Sequence, residues 1–337
     1  MKKLTGKNNW RWIPGIVISL AALIILANFL NFDELSQAFR SYTISNLVFI
    51  IILVIIPLCF RALAWKSLLQ DISFRDSFLL INEGYLLNNL IPRSGEFARI
   101  FLVNGVSKVG AFKAAASILI ERGLDVIIAA GLFLTTLPLV VEMGWLSTAA
   151  ITLMVLFCCA ILGIILISAN AMKIEIWLEK QDIKIRIFKK PIKPILIKGM
   201  HGLSSLAKPK NIFLGIFWIM CAWFLWVGML FYILRIIDPD APFWWAMFGE
   251  GLLALGIALP SAPASLGVYE GTAVLAFSFF GIDKNTAFST AIILHSIQIL
   301  ITSILGIIGF SVHGIKIQEI VKTISNRLKK KSEETGS

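Results

Sequence analysis

Asn88-Asn89-Leu90-Ile91-Pro92-Arg93-Ser94-Gly95-Glu96-Phe97-Ala98-Arg99 interrupts one apolar region of the chain. Leu259-Pro260-Ser261-Ala262-Pro263-Ala264-Ser265-Leu266-Gly267-Val268-Tyr269-Glu270 interrupts another. Both put prolines, glycines and carboxylates where continuous membrane helix would otherwise run. Lipid cannot satisfy the N–H and C=O groups of irregular backbone, so such segments must be buried in protein or line a wet cavity. Paired interruptions in two halves of a chain point to a transport site. The turn residues are Asn89, Pro92 and Gly95 in the first stretch and Pro260, Pro263 and Gly267 in the second.

Working outward, the surroundings are strongly apolar. Of 337 residues, 58% are hydrophobic and 15% charged. Apolar runs at Ile13–Leu30, Ile44–Phe60, Ile151–Ile167, Ile212–Leu234 and Ala287–Phe310 are each close to the length of a membrane-crossing helix. Soluble helices would carry a polar face, and these runs have almost none. The expected fold is an all-α, polytopic membrane protein in a single integral membrane domain, residues 1–337. Cys59, Cys158, Cys159 and Cys221 lie in apolar runs without metal-ligand spacing and read as inert buried thiols.

The net charge of +11 collects in the N-terminal tail, the loop 170–211 and the tail 314–337 with Lys329-Lys330-Lys331. That distribution argues against nucleic acid. By the positive-inside rule it puts all three regions, and both termini, in the cytoplasm. About six full spans follow: 13–30, 44–62, 113–139, 147–168, 212–235 and 286–313. Arg61, Lys66 and Arg75 then lie on the cytoplasmic side, and Lys173–Phe188 mixes apolar and charged residues as an interfacial segment does. The remaining segments, 78–110 and 243–281, begin and end on one side and read as re-entrant hairpins, giving eight or more membrane segments. An alternative makes both arms of the second hairpin full spans. The re-entrant version relates 44–139 to 212–313 as an inverted repeat.

Charged groups inside spans need partners. Glu121, Arg122 and Asp125 share one sector of a helix at 100° per residue, extended by Ser117. Each mid-helix charge costs roughly 2.5–3.5 kcal/mol to insert, so three cost about 8–10 kcal/mol. They should face the bundle interior. Arg122 neutralises one carboxylate, through the i, i+3 pair with Asp125 or otherwise, which leaves Glu121 in need of a further partner, a proton or a cation. A structural ion pair is the simpler alternative. His295, Gln298 and Thr302 form a polar stripe on the last span, and His295 suits a proton-linked step. Glu250 and Glu270 flank the second interruption. Arg93 and Arg99 flank Glu96 at the first, where guanidinium groups could hold a phosphate or simply anchor the chain at the membrane surface.

The spaced pattern Asn89-x-x-Pro92-x-x-Gly95-Glu96-x-x-Arg99, Glu121-Arg122-x-x-Asp125 and Pro260-x-x-Pro263-x-x-x-Gly267-x-x-Glu270 resembles the signature of the lysylphosphatidylglycerol synthase transmembrane region family, over nearly the whole chain. The resemblance implies a flippase-like protein of the cytoplasmic membrane of a bacterium or archaeon. It also implies kinship to the flippase part of the multiple peptide resistance factor. That factor's lysyl-transferring domain is not expected here, because only 337 − 310 = 27 residues follow Phe310.

No Walker A, zinc motif or nucleophile elbow is present, so ATP hydrolysis, a cofactor and a metal are not expected. The expected function is a lipid translocase, flippase- or scramblase-like, moving a phospholipid or lipid-linked phosphate headgroup, with membrane lipids as partners. Arg93, Arg99 and Arg122 would contact phosphate. Glu96, Glu121, Asp125, Glu250 and Glu270 would meet a cationic or hydroxyl-bearing headgroup or carry a proton. The two interrupted segments would form walls of one site. A membrane enzyme acting on a lipid-linked sugar or phospholipid, and a scaffold for such an enzyme, are the alternatives.

Overall fold

The computed structural model describes residues 42–140, 170–180, 209–259 and 262–314, with scattered positions from 148 to 167 and from 186 to 197. The expected spans 13–30 and 147–168, most of the basic loop, both tails and Pro260 lie outside the described residues or are described only at isolated positions.

Among the described residues there are nine α-helices. They are α1 (Ile44–Leu69), α2 (Phe74–Leu90), α3 (Gly95–Val106), α4 (Ala111–Val140), α5 (Ala171–Lys180), α6 (Pro209–Ile237), α7 (Phe243–Ile257), α8 (Val268–Ser278) and α9 (Lys284–His313). The one departure from an all-helical chain is a two-residue antiparallel pair, β1 (Arg186–Ile187) with β2 (Lys190–Pro191). Of the expected interfacial segment 173–188, residues 173–180 are helical, within α5.

Helix starts follow local chemistry. Thr43 Oγ1 accepts the Asn46 N–H at 3.3 Å ahead of α1, Ser73 Oγ accepts the Asp76 N–H at 3.0 Å ahead of α2, and Asp283 Oδ1 accepts the Thr286 N–H at 2.9 Å ahead of α9. Each satisfies one of the first-turn donors that a helix leaves unpaired. Helix α9 ends at Gly314, whose φ of 65° is the left-handed conformation that glycine adopts freely.

Four helices, α1, α4, α6 and α9, are long and apolar enough to cross a membrane. They match the spans expected at 44–62, 113–139, 212–235 and 286–313, with one consequential difference. Helix α1 runs on to Leu69, beyond the expected end at 62, and Arg61, expected at the cytoplasmic end of the span, is 1% exposed within it.

Both interrupted stretches are short helices separated by irregular backbone. The first has arms of 17 and 12 residues, α2 and α3, and the second has arms of 15 and 11, α7 and α8. None reaches the ~20 residues a span needs. Glycines let the arms close on each other. A Cβ at Gly95 would run into the Gly84 carbonyl, and one at Gly256 would run into the Thr272 hydroxyl. Backbone strain gathers here too. Arg93, Ala264 and Ser265 have φ of 60°, 54° and 56°, a region that costs residues with a Cβ of order 1 kcal/mol each.

The chain divides into two compact units, interleaved in sequence. One comprises residues 1–48, 82–98 and 253–337, and the other 49–81 and 99–252. In the second unit α4 packs on α6. There α7 meets α4 closely, since a Cβ at Gly251 would lie 2.7 Å from the Phe133 nitrogen. Phe133 and Phe248 pack beside that crossing with ring centroids 5.2 Å apart. In the first unit α8 packs along α9, and the C-terminal half of α2 crosses α9 at Gly306 and Gly309.

Candidate functional site

The second unit holds an arginine–carboxylate network assembled from three helices. Helix α4 supplies Ser117, Glu121, Arg122 and Asp125 from the sector that the 100° spacing defines. Helix α1 brings Arg61 and Trp65, and α3 brings Arg99. Arg61 straddles both carboxylates. Its Nη1 donates to Asp125 Oδ1 at 2.6 Å, and its Nη2 donates to Asp125 Oδ2 at 2.9 Å and to Glu121 Oε1. Arg99 holds Glu121 with both terminal nitrogens, at 3.1 and 3.0 Å. Arg122 adds a bond to Glu121 Oε1 at 2.7 Å and an ion pair with Asp125 at 3.2 Å.

Aromatic residues finish the network. Trp223 Nε1, from α6, donates to Asp125 Oδ1 at 3.0 Å, and Trp65 Nε1 donates to Ser117 Oγ at 2.9 Å. The Arg99 guanidinium lies over the Trp65 ring at 4.1 Å, within cation–π range. Ser117, which extends the α4 stripe, therefore orients Trp65, and Trp65 in turn covers Arg99.

These contacts join three guanidinium groups to two carboxylates. Glu121 Oε1 accepts from three arginines and Oε2 from one, so its acceptor sites are filled. Of the expected choices for Glu121, a further partner, a proton or a cation, the structure supplies partners: Arg61 and Arg99. Burial grades the network. Side-chain exposure is 1% for Arg61, 5% for Arg99 and 3% for Glu121, but 17% for Asp125 and 37% for Arg122. Arg122 is the guanidinium at the open edge. Glu250 on α7 is half-buried, with no hydrogen-bond or ionic partner among the described residues.

The first unit holds a second polar centre. At the second interruption Gly267, with φ 80°, precedes α8, and its N–H donates to Glu270 Oε2 at 2.6 Å. The other oxygen of Glu270 lies 2.6 Å from His295 Nδ1. The Tyr269 ring stacks on the imidazole, with centroids 4.2 Å apart. At the first interruption Asn88 Oδ1 accepts the Gly95 N–H at 2.7 Å, and Ser94 Oγ donates to the Leu87 carbonyl at 2.9 Å. Pro92 lies in that turn and Pro263 opens a short 3-10 turn at the other. Arg93 donates to the Ala258 carbonyl, so the two interruptions touch. Glu96 receives a long 3.5 Å bond from Asn88. Asn89 donates to Thr302 and Ser303 on α9, at 3.2 and 3.1 Å.

The expected stripe on α9 is narrower than its spacing implied. His295 and Thr302 are buried, but Gln298, rotated 60° from His295, is exposed. Arg93 is exposed, with Nη2 donating to the Ala258 carbonyl, and Arg99 is buried against Glu121. The thiols of Cys59 and Cys221 are half-buried and that of Cys159 is exposed, not buried as expected; all three are free.

Sequence reasoning missed Arg61, Trp65, Trp223, Glu83 and His313. Arg61 carried a readable signal: it precedes Trp65 by four residues, one helical turn, inside an otherwise apolar stretch. Glu83 is fully buried on α2, with His313 Nδ1 at 2.6 Å from its Oε1.

The model of the lysylphosphatidylglycerol synthase transmembrane region family matches residues 12–306. The chain belongs to that family. A family relative, an archaeal UPF0104 membrane protein from Methanothermobacter thermautotrophicus (strain Delta H), is 22% identical over 335 residues. The match covers 90% of this chain and 95% of the relative. No solved structure matches significantly. Family membership and four candidate spans together make this a multi-pass helical membrane protein.

Proposed function

We propose that this protein is a lipid translocase of the cytoplasmic membrane that moves a phospholipid or lipid-linked phosphate headgroup without ATP hydrolysis. The observation that carries the reading is the cluster of three guanidinium groups on α1, α3 and α4, with Arg122 37% exposed at its edge. Arginine binds phosphate oxygens in a planar, two-pronged fashion. Arg61 and Arg99 hold Glu121, and Glu121 and Asp125 hold Arg122 in place. Arg122 is the phosphate contact; Arg61, Arg99 and Glu121 are positioning residues.

Both termini and the 170–211 loop are cytoplasmic in this reading. The segments α2–α3 and α7–α8 are re-entrant hairpins of an inverted repeat, each with arms too short to span. The strained turns at Arg93 and Ala264-Ser265 are where such hairpins would move. The acyl chains stay in lipid while the headgroup passes.

The test is reconstitution into vesicles carrying fluorescent phosphatidylglycerol or phosphatidylethanolamine, with external quenching to count the exposed label. Wild type should exchange label faster than empty vesicles, and Arg122→Gln should lower the rate about tenfold, the loss of roughly 1.4 kcal/mol expected for one charge-assisted contact. Equal rates from wild type, the variant and empty vesicles would remove the proposal for those lipids.

A further inference from the structure

Helix α9 carries a buried histidine–carboxylate pair at two points on one face. His295 and His313 are 18 residues apart, which is five turns and about 27 Å along the axis. The residues between them on the same line are Thr302, Gly306 and Gly309, within about 40° of His295. In the first unit α2 lies against this line in antiparallel order. Asn89 bonds to Thr302 and Ser303, Asn82 and Leu86 meet Gly306, and Glu83 meets Gly309 and His313. The glycines admit this contact: a Cβ at Gly306 would lie 2.7 Å from the Asn82 carbonyl oxygen, and one at Gly309 would lie 2.8 Å from Glu83 Oε1. The α2–α9 contact thus carries polar groups from Asn89 at Thr302 to Glu83 at His313.

We infer that the Glu270–His295 pair is a proton-binding site and that the proton is the coupling ion of the translocation proposed above. The coupling part rests on that reading; the proton site does not. Imidazole is a common proton carrier, and a carboxylate oxygen 2.6 Å from Nδ1 is placed to share a proton with it. With the proton the pair is neutral, and without it the pair carries one negative charge. That charge sits on the carboxylate whose other oxygen holds the Gly267 N–H at the interruption. Loading therefore changes the bond that caps α8 and holds the turn at φ 80°. This is a local electrostatic event at a hinge, the kind that switches a two-state element.

Among the described residues, the titratable groups touching His295 are Glu270 and Tyr269, both from α8. Helix α2 brings uncharged Asn89 to Thr302 and Ser303, and Glu83 to His313. Tyr42 reaches α9 at Thr290, where its hydroxyl lies 2.8 Å from the threonine oxygen. Arg93 is engaged at the Ala258 carbonyl and Glu96 at Asn88.

Two measurements on the full chain test this. The first uses vesicles of phosphatidylethanolamine and phosphatidylglycerol with fluorescent lipid, a trapped pH dye and an imposed pH gradient. Reversing the gradient should change wild-type translocation several-fold, and His295→Asn or Glu270→Gln should abolish that response. Translocation by wild type that ignores the gradient overturns the coupling while leaving the translocase reading intact. The second is nitrogen NMR of the imidazoles in nanodiscs, which needs no substrate. The chain has three histidines, so single substitutions at His201, His295 and His313 assign the signals. Wild-type His295 should pass between protonated and neutral ring signals as the bath pH is varied, and Glu270→Gln should alter that passage. Ring signals that ignore pH across the range in which the protein stays folded overturn the site whether or not any lipid moves. If a variant is not monodisperse, the wild-type titration still decides.

Discussion

Glu121→Gln is the sharpest perturbation of the arginine network. The variant keeps the size of the side chain and removes one negative charge from the cluster. Gln offers one acceptor oxygen where the carboxylate receives Arg61, Arg99 and Arg122 on Oε1 and Arg99 on Oε2. Its amide N–H groups would face guanidinium N–H groups. Arg61 keeps both bonds to Asp125, but Arg99 loses its counter-charge while 5% exposed. Removing one partner of a buried ion pair costs about 3–5 kcal/mol, because the charge left behind is not solvated. A destabilisation of about 3–5 kcal/mol is expected, read by reversible unfolding in mixed micelles with increasing denaturing detergent. Arg122→Gln is the internal comparison. At 37% exposure its charges are partly screened, and about 1 kcal/mol or less is expected. A Glu121→Gln cost no greater than that of Arg122→Gln would refute the view that Arg61, Glu121 and Arg99 form the buried centre.

Gly306→Ala and Gly309→Ala should each destabilise by about 1–3 kcal/mol through overpacking of the α2–α9 crossing, whereas Gly131→Ala, where a Cβ meets nothing within 4 Å, should be neutral or slightly stabilising in the same unfolding assay. Asp283→Ala should cost about 1 kcal/mol by removing the cap of α9. Burial alone would raise the Asp283 carboxyl, but hydrogen bonds from the Thr286 side chain and from backbone N–H groups outweigh it and hold the group below its ordinary value. A folded-state value lowered in this way stabilises above the unfolded value near pH 4, and the gain is lost as pH falls through the folded value. The wild-type advantage over Asp283→Ala should therefore shrink on acidification from neutral pH to below about pH 4. Trp65→Phe should cost about 1 kcal/mol by removing the donor to Ser117 while keeping a ring under Arg99, and a cost near zero would mean that bond contributes nothing.

Much of the fold is legible in the chain. The spans at α1, α4, α6 and α9 come from apolar length, and the two interruptions from proline and glycine in apolar surroundings. The α4 stripe comes from helical spacing alone, because Ser117, Glu121, Arg122 and Asp125 are neighbours on one helix. The partners of that stripe were not legible. Arg61 sits near a run's end, where positive charge is as well explained by cytoplasmic anchoring, and Trp223 is one tryptophan of ten. Gln298 shows the opposite failure: a polar residue one helical turn from His295 has a readable spacing but faces away.

By itself, the sequence determines that the chain is a helical membrane protein of one family, where its helices break, and which charges must be hidden. These follow from local terms: insertion cost per residue, turn chemistry and the 100° step of a helix. Only the tertiary structure decides that Arg61 and Arg99 saturate Glu121, that Arg122 is left at the edge, and that Glu83 and His313 continue the line begun at Glu270 and His295. Those pairings join residues 22 to 230 positions apart. Their free energy arises where helices remote in sequence exclude water together, and no local pattern in the chain records which remote partner will be there.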